Sequence, residues 1–300
     1  MKLTLTGATG FVGVNLKRYL NKILTIQSLS RTELNESNPE MLNGSKAIVH
    51  LAGKAHDLKK VSSPDAYYEV NHELTKKLYD SFLKSDASIF IFISSVKAAA
   101  DKVEGILTEN EVPVPETHYG KSKFMAEQYI TNQPLPPGKS YFILRPCMIH
   151  GEGNKGNLNL LYQIIRKGIP YPLGAFDNKR SFLSVENLCF VIQELILQRD
   201  IPSGIYNVAD DEPLSTNEVV TILSASLNKK PRLWHIPANL IRFIANVGDK
   251  LLLPLNTERL DKLTESYVVS NDKLRKALNK QLPLSSKEGL KITALSFLKS

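Results

Sequence analysis

Across the first 146 positions, apolar residues come in two alternating patterns. Short unbroken runs give way to longer stretches in which apolar side chains recur every three or four places. Lys2 to Thr6 is a short apolar-rich run that ends at a glycine. Phe11 to Asn21 follows with helical spacing at Phe11, Val12, Leu16, Tyr19 and Leu20. Ile23 to Leu29 reads as a second strand, and Ala47 to Leu51 and Ile89 to Ile93 are continuous apolar runs suited to strands buried on both faces. Between those two runs, Tyr67 to Ser85 has helical periodicity. Tyr119 to Gln133 does as well, and it stops at the breaker Pro134-Leu135-Pro136-Pro137-Gly138. Tyr141 to Leu144 is the next strand, ending at Arg145-Pro146. Strands alternating with helices predict an α/β fold: a doubly wound, Rossmann-type parallel sheet covered on both sides.

The pattern then changes. Residues 151–180 are rich in glycine and proline and hold one helical stretch, Asn157 to Lys167. Ser181 to Arg199 and Gly204 to Ala209 regain strand and helix character. From Pro213 onward the chain reads as helical pieces broken at Pro231, Pro237, Pro254 and Pro283. The expected organisation is a dinucleotide-binding-type domain over 1–150, with 181–209 returning to it. A smaller, mostly helical C-terminal substrate domain would comprise 151–180 and 210–300.

Composition narrows the class. With 42% hydrophobic residues, 300 positions can bury a sizeable core without disulfides or metal. Cys147 and Cys189 have no further cysteine partners, which excludes a disulfide scaffold and a cysteine-based zinc site and fits a reducing compartment. The opening apolar stretch is too short for a signal-peptide core and no run is long enough for a membrane span, so a cytoplasmic protein is expected. The net charge of +8 is spread along the chain with no nucleic-acid-binding signature, so no nucleic-acid partner is expected.

Chemistry enters at Thr6-Gly7-Ala8-Thr9-Gly10-Phe11-Val12-Gly13, between the first strand and the first helix. Gly7 permits the tight turn, Gly10 lets backbone approach a pyrophosphate, and Gly13 lets helix and sheet pack closely. Phe11 and Val12 open the helix, whose free N–H groups favour an anion. This is a dinucleotide-binding arrangement. The second strand ends Ser28-Leu29-Ser30-Arg31, with no acid before Glu33. An acid there would accept from the ribose hydroxyls of NAD, whereas Ser30 and Arg31 suit a 2′-phosphate, so NADP is favoured over NAD.

Tyr119 and Lys123 stand at i and i+4 on one face of a predicted helix. That spacing lets Lys123 hold a nicotinamide ribose while its ammonium lowers the Tyr119 phenol towards neutral pH, where it can act as acid or base. Ile91-Phe92-Ile93-Ser94-Ser95 ends an apolar strand in two serines. The C-terminal ends of parallel strands face the cofactor crevice, so Ser95, with Ser94 as the neighbouring alternative, can bond a substrate oxygen beside the tyrosine.

With these residues in this order, the chain resembles the extended short-chain dehydrogenase/reductases, in particular the NAD-dependent epimerase/dehydratase (nucleotide-sugar) family. Similar stretches are His50-Leu51-Ala52, Asn71 with Thr75, Leu144-Arg145-Pro146 with Ile149-His150-Gly151, Arg180 to Val185, Tyr206-Asn207-Val208 and Pro213-Leu214-Ser215. The resemblance implies that Leu51, Ala52, Asn71 and Pro146 border the cofactor. It also implies that Asn157 and Arg180 face the nucleotide diphosphate of a UDP-sugar. Tyr119 would exchange a proton with the sugar C4 oxygen, Ser95 would orient that oxygen, and Lys123 would poise the tyrosine. Dimerisation through two helices per subunit is common in the family, so a homodimer is left open.

The chain departs from the family's dehydratases after the serines. They carry an Asp-Glu pair where this chain has Val96-Lys97, which cannot perform the proton transfers of water elimination. Two chemistries at C4 of a UDP-hexose or hexosamine remain. One is 4-epimerisation with retained NAD; the other is reduction of a 4-keto sugar by NADPH for surface polysaccharide synthesis. Ser30-Arg31 favours the reductase. A non-catalytic NADP-binding sensor or scaffold is the alternative from another class. The stretch from Arg31 to Ala47 is too short for the family's usual third-strand segment, which implies an open adenine pocket. His56, His72, His118 and His235 lack ligand spacing, and no metal is expected. Trp234 reads as core or substrate-domain packing. Leu240 to Leu253, with Arg242 and Lys250, is amphipathic and reads as a packed helix or subunit contact, with a membrane surface as the lesser alternative.

Overall fold

The computed structural model describes residues 1–54, 63–154, 156–251 and 256–298, with side chains up to Asp249 in the third of these stretches. The first half runs β1 (Lys2–Thr6), α1 (Phe11–Leu20), β2 (Thr25–Leu29), α2 (Arg31–Asn35), β3 (Ser45–His50), α3 (Asp65–Tyr68), α4 (Leu74–Lys84) and β4 (Ile89–Ile93). It continues with β5 (Ile106–Leu107), α5 (His118–Asn132), β6 (Ser140–Pro146), β7 (Met148–His150) and α6 (Asn157–Arg166). Then come β8 (Lys179–Arg180), β9 (Phe182–Ser184), α7 (Val185–Leu197), β10 (Gly204–Val208), β11 (Leu214–Ser215) and α8 (Thr216–Ser226). The remainder is α9 (Ala238–Leu251), α10 (Thr257–Thr264), β12 (Val268–Val269), α11 (Asp272–Leu278) and α12 (Ser286–Ser296).

Six parallel strands form the central sheet in the order β10-β6-β4-β3-β1-β2. The apolar runs are continuous because alternate residues serve opposite faces. Leu3, Leu5, Val49, Ile91 and Leu144 pack beneath α1 and α7, whereas Ile48, Phe90, Phe92 and Ile143 pack beneath α4 and α5. Thr6 pairs with His50, His50 with Phe92, and Ile93 with Leu144, so the C-terminal ends of β1, β3, β4 and β6 open along one edge. In a parallel sheet that edge carries the ligand crevice.

Several elements differ from the sequence expectations. β6 continues through Arg145 and Pro146, which lie opposite Asn207 and Val208 of β10. Tyr67 to Ser85 is interrupted by a π-helical turn, Glu69–Glu73, between α3 and α4. β2 is the sheet edge among the described residues, in keeping with the short connection to β3. Trp234 is not a core residue: its backbone pairs with Tyr171 while 56% of the residue stays exposed. His56 and Pro254 lie outside the described residues. Two further apolar clusters form beyond the sheet, one among α6, α8 and α12, the other joining Leu173 to Ile241, Ala245 and Leu260 of α9 and α10. No helix among the described residues is long and apolar enough to cross a membrane.

Candidate active site

The glycine turn is built so that side chains cannot enter it. Gly7 has φ +68°, and a Cβ there would lie 2.6 Å from the Ala52 nitrogen. A Cβ on Gly13 would lie 2.3 Å from the Gly7 carbonyl oxygen. Gly10 starts α1 without a side-chain cap, and the first turn, which contains Phe11 and Val12, carries no acid. Backbone N–H groups and the positive helix end are therefore available to a diphosphate, as the cradle of a dinucleotide requires.

A buried polar relay holds the neighbouring strand end. Ala52 donates from its backbone N–H to Thr6 Oγ1 (3.1 Å), and the Thr6 hydroxyl is 2.7 Å from His50 Nδ1. His50 Nε2 is 2.9 Å from Thr75 Oγ1, which itself donates to the Asn71 carbonyl. Thr75 must then accept, so Nε2 carries the imidazole proton and Nδ1 accepts from Thr6. Burial, with Lys123 nearby, holds the His50 pKa down to about 3, so the ring stays neutral. Asn71 accepts from Lys54 N (2.7 Å) and donates to Lys54 O and Ser122 Oγ. It is fully buried and fixes the Leu51-Ala52-Gly53-Lys54 segment from behind.

α5 delivers Tyr119 and Lys123 to this edge. Thr117 caps the helix by accepting from Gly120 N, and Asp101 accepts from the Glu116 and Thr117 amides. A Cβ at Gly120 would lie 2.4 Å from the Lys97 carbonyl oxygen, so only glycine lets α5 come this close to the turn after Ser95. The result is that the Ser95 hydroxyl stands near enough to the Tyr119 phenol to favour its ionised form. Ser95 Oγ also accepts from Lys97 N. The two adjacent serines have different surroundings, because Ser94 donates to Glu127 within a buried cluster.

Lys123 is placed differently from the expectation. Its Nζ donates to the Ile93 carbonyl (2.8 Å) and lies 4.8 Å from the centre of the Phe92 ring. A Cβ on Gly53 would be 3.0 Å from Nζ, so the buried ammonium packs against the Leu51-Ala52-Gly53-Lys54 segment. Burial lowers its pKa to about 8, with Glu127 opposing. The expected lowering of the Tyr119 phenol by Lys123 is absent. Burial pushes that phenol up, and the neighbouring Ser95 hydroxyl pulls the other way. The physical reason is that one helical turn carries Lys123 down onto the β4 carbonyl, where its charge is directed to Ile93.

At the end of β2, Ser30 caps α2. Its Oγ accepts from Glu33 N, while Ser30 N donates to Glu33 Oε2 (2.7 Å). Arg31 is the exposed first residue of that helix. On the other side of Ser95 is a cavity of about 280 Å³, lined in part by Ser95, Lys97, Pro146, Arg180, Glu265 and Tyr267. Arg180 Nε donates to the Glu265 carbonyl (3.1 Å), and Glu265 Oε1 lies 3.6 Å from the guanidinium. Asn157 is exposed on the first turn of α6 and does not line this cavity. Among the described residues no cluster of His, Cys, Asp and Glu could hold a metal ion. Sequence reasoning missed Glu127 and its ion pair with Arg145, both about 1% exposed. The signal was available, since Glu127 follows Lys123 by four positions on the helix face that carries Tyr119.

A model of the NAD dependent epimerase/dehydratase family matches residues 3–209. The chain is 30% identical to a UDP-glucose 4-epimerase of Vibrio cholerae, over 99% of this chain and 96% of that protein. It is also 30% identical to an N-acetyl-alpha-D-glucosaminyl-diphospho-ditrans,octacis-undecaprenol 4-epimerase of Escherichia coli O157:H7, over 78% and 74%. Among solved structures, RMD from Pseudomonas aeruginosa complexed with NADPH superposes with a TM-score of 0.73 at 20% identity, covering 100% of this chain and 99% of that one.

Proposed function

The chain belongs to the NAD dependent epimerase/dehydratase family of enzymes, and from that premise we propose that it transfers hydride at C4 of a diphosphate-linked hexose or hexosamine, as a UDP-sugar 4-epimerase. The observation that carries the reading is the Ser95 hydroxyl set against the Tyr119 phenol, one helical turn from the buried Lys123 ammonium. Gly7, Gly10, Phe11, Val12 and Gly13 would hold the cofactor diphosphate. Leu51, Ala52, Lys123 and Pro146 would border the nicotinamide half, with Asn71 supporting their loop. When bound, NAD supplies the acceptor for the C4 hydride and later its donor. Tyr119, once deprotonated, would take the C4 hydroxyl proton and would return it to the ketone oxygen after the sugar has presented its other face. Ser95 orients the oxygen in both halves. Arg180, on the cavity wall, and Asn157, at the start of α6, are assigned to the diphosphate of the substrate. Val96 and Lys97 occupy the two positions after Ser95 where the family's dehydratases carry their Asp-Glu pair, which argues against dehydration.

Two observations favour the epimerase over the reductase. The Glu33 carboxylate, folded back onto the Ser30 amide, puts negative charge where a 2′-phosphate would lie, and Ser30 Oγ is already engaged as a cap. Both features support NAD and the epimerase. Exposed Arg31 and the protonated phenol favour the second reading, reduction of a 4-keto sugar with NADPH. The test is to identify the nucleotide that co-purifies and to assay UDP-glucose, UDP-N-acetylglucosamine and a UDP-4-keto-6-deoxy sugar. Tyr119→Phe should lower the active turnover by about 10²–10⁴-fold. Undiminished turnover in that variant overturns the mechanism.

A further inference from the structure

α9 has two apolar faces, and the fold uses only one. Ile241 and Ala245 are buried against Leu173 and Leu260. Leu240, Phe243, Ile244 and Val247 recur at i, i+3, i+4 and i+7 and form a second stripe. Leu240 is 50% exposed, Phe243 65% and Ile244 44%. Trp234, four residues before the helix, extends the apolar character of this surface.

The segment that carries the stripe holds charged side chains of one sign, with the nearest acids, Asp249 and those of α10, Glu258 and Asp261, outside it. From Lys229 to Gly248 the chain carries Lys229, Lys230, Arg232 and Arg242 and no acidic residue. Lys229 and Arg232 donate to the carbonyls of Arg166 and Gly168, bonds that leave their charge uncancelled. Lys229, Lys230 and Arg232 line a groove of about 440 Å³ together with Ile165 and Ile169. A ladder joins this groove to α9: Arg232 meets Gly168, Trp234 pairs with Tyr171, and Arg242 lies over the Phe176 ring at 6.0 Å. Groove, tryptophan and helix therefore belong to one strip.

We propose that this strip docks the enzyme on the surface of an anionic lipid bilayer. The apolar stripe would enter the headgroup boundary, Trp234 would sit at the interface, and the basic groove would receive lipid phosphates. A second copy of the chain fits less well. A two-fold contact places the same patch on both sides, so it would bring eight cations together without an acid among residues 229–248. The docking is separate from the carbohydrate reading above and stands or falls without it.

Trp234 is the sole tryptophan of the chain and reports directly on insertion. The full protein is mixed with phosphatidylcholine vesicles, with or without phosphatidylglycerol, and followed by co-sedimentation and tryptophan emission. Binding should be at least about tenfold greater on the anionic vesicles, with a blue shift of emission that added salt reverses. Phe243→Ser with Ile244→Ser should remove about nine-tenths of the binding. Lys229→Gln with Lys230→Gln and Arg232→Gln should remove its salt dependence. Both sets should leave the urea midpoint and sugar turnover unchanged, which separates this outcome from failure of the catalytic proposal. Absence of binding, or equal binding by the apolar variant, overturns the proposal. So does sedimentation velocity showing that the apolar variant converts a dimer to a monomer, which would assign the stripe to a second copy.

Discussion

Glu127→Gln tests the foundation on which the candidate site rests. Glu127 accepts from Arg145 Nε at 3.0 and 3.1 Å and from Arg145 Nη2, and it also receives the Ser94 hydroxyl. Both ionic side chains are about 1% exposed, so water cannot replace either partner. Neutralising the carboxylate leaves a buried guanidinium without its counter-charge, a change that costs about 3–5 kcal/mol. Glutamine keeps an acceptor oxygen, which places the expected loss at the lower end, about 3 kcal/mol. At roughly 2–4 °C per kcal/mol, the unfolding midpoint should fall by about 6–12 °C. Arg145→Met should be equally harmful alone, and the Glu127→Gln/Arg145→Met double variant should be less destabilised than the sum of the two, since neither charge is then stranded. A second readout comes from Lys123, whose pKa Glu127 raises. Removing that carboxylate shifts Lys123 to lose its proton at lower pH, so the alkaline limb of kcat/KM should move towards acid. Urea denaturation of the four proteins and their pH–rate profiles provide the check. A loss below about 1 kcal/mol, or strict additivity in the double variant, would refute the claim that the pair acts as one unit.

On the proposed mechanism the protonated Lys123 is the working form, and burial has lowered its pKa from 10.5 to about 8. The ammonium is complete well below that pH and is lost as pH rises through it, so kcat/KM should decline above about pH 8; a flat profile to pH 10 contradicts this role. Ser95→Ala should lower kcat by about 10²-fold with little change in stability, whereas Ser94→Ala, which removes a donor to Glu127, should act mainly on the unfolding midpoint. The converse split would exchange the two serines' roles. Gly13→Ala places a methyl 2.3 Å from the Gly7 carbonyl oxygen, so calorimetry should find dinucleotide affinity reduced by at least about tenfold, with about 1–3 kcal/mol of stability lost. Ser30→Ala removes the α2 cap and should cost about 1 kcal/mol of stability while changing cofactor affinity little, the reverse of what a 2′-phosphate contact predicts.

The sheet was legible because its strands bury both faces: Ile89 to Ile93 has no polar alternation to confuse with anything else, and its boundaries were found to the residue. The glycine turn was legible because close backbone approach excludes every other residue, as Gly7 against Ala52 and Gly13 against Gly7 demonstrate. Three other features were hidden, each for a definite reason. The direction of the Lys123 ammonium depends on which carbonyl meets it across the sheet, and that carbonyl, Ile93, lies thirty residues away in sequence. The capping box of Ser30 and Glu33 can be read from Ser-x-x-Glu spacing, yet at a strand end it competes with a ribose-contact reading of the same residues. Trp234 shows the limit of composition: of the two expectations, core or substrate-domain packing, the core one fails, because its backbone pairs with Tyr171 while its side chain stays exposed.

One helix face explains how these parts act together. Tyr119, Lys123 and Glu127 follow one another at four-residue intervals down α5, and each meets a different segment of the sheet edge. Tyr119 faces Ser95 just beyond β4, Lys123 bonds the last carbonyl of β4, and Glu127 binds Arg145 of β6. Solvent exposure falls along the series from Tyr119 to a sealed ion pair, so the buried end fixes the helix and the more open end presents the phenol proposed for catalysis. Gly120 permits the approach and Glu127 anchors it. An error at either position should therefore misplace the phenol without touching it, and should appear as a loss in kcat larger than any change in KM.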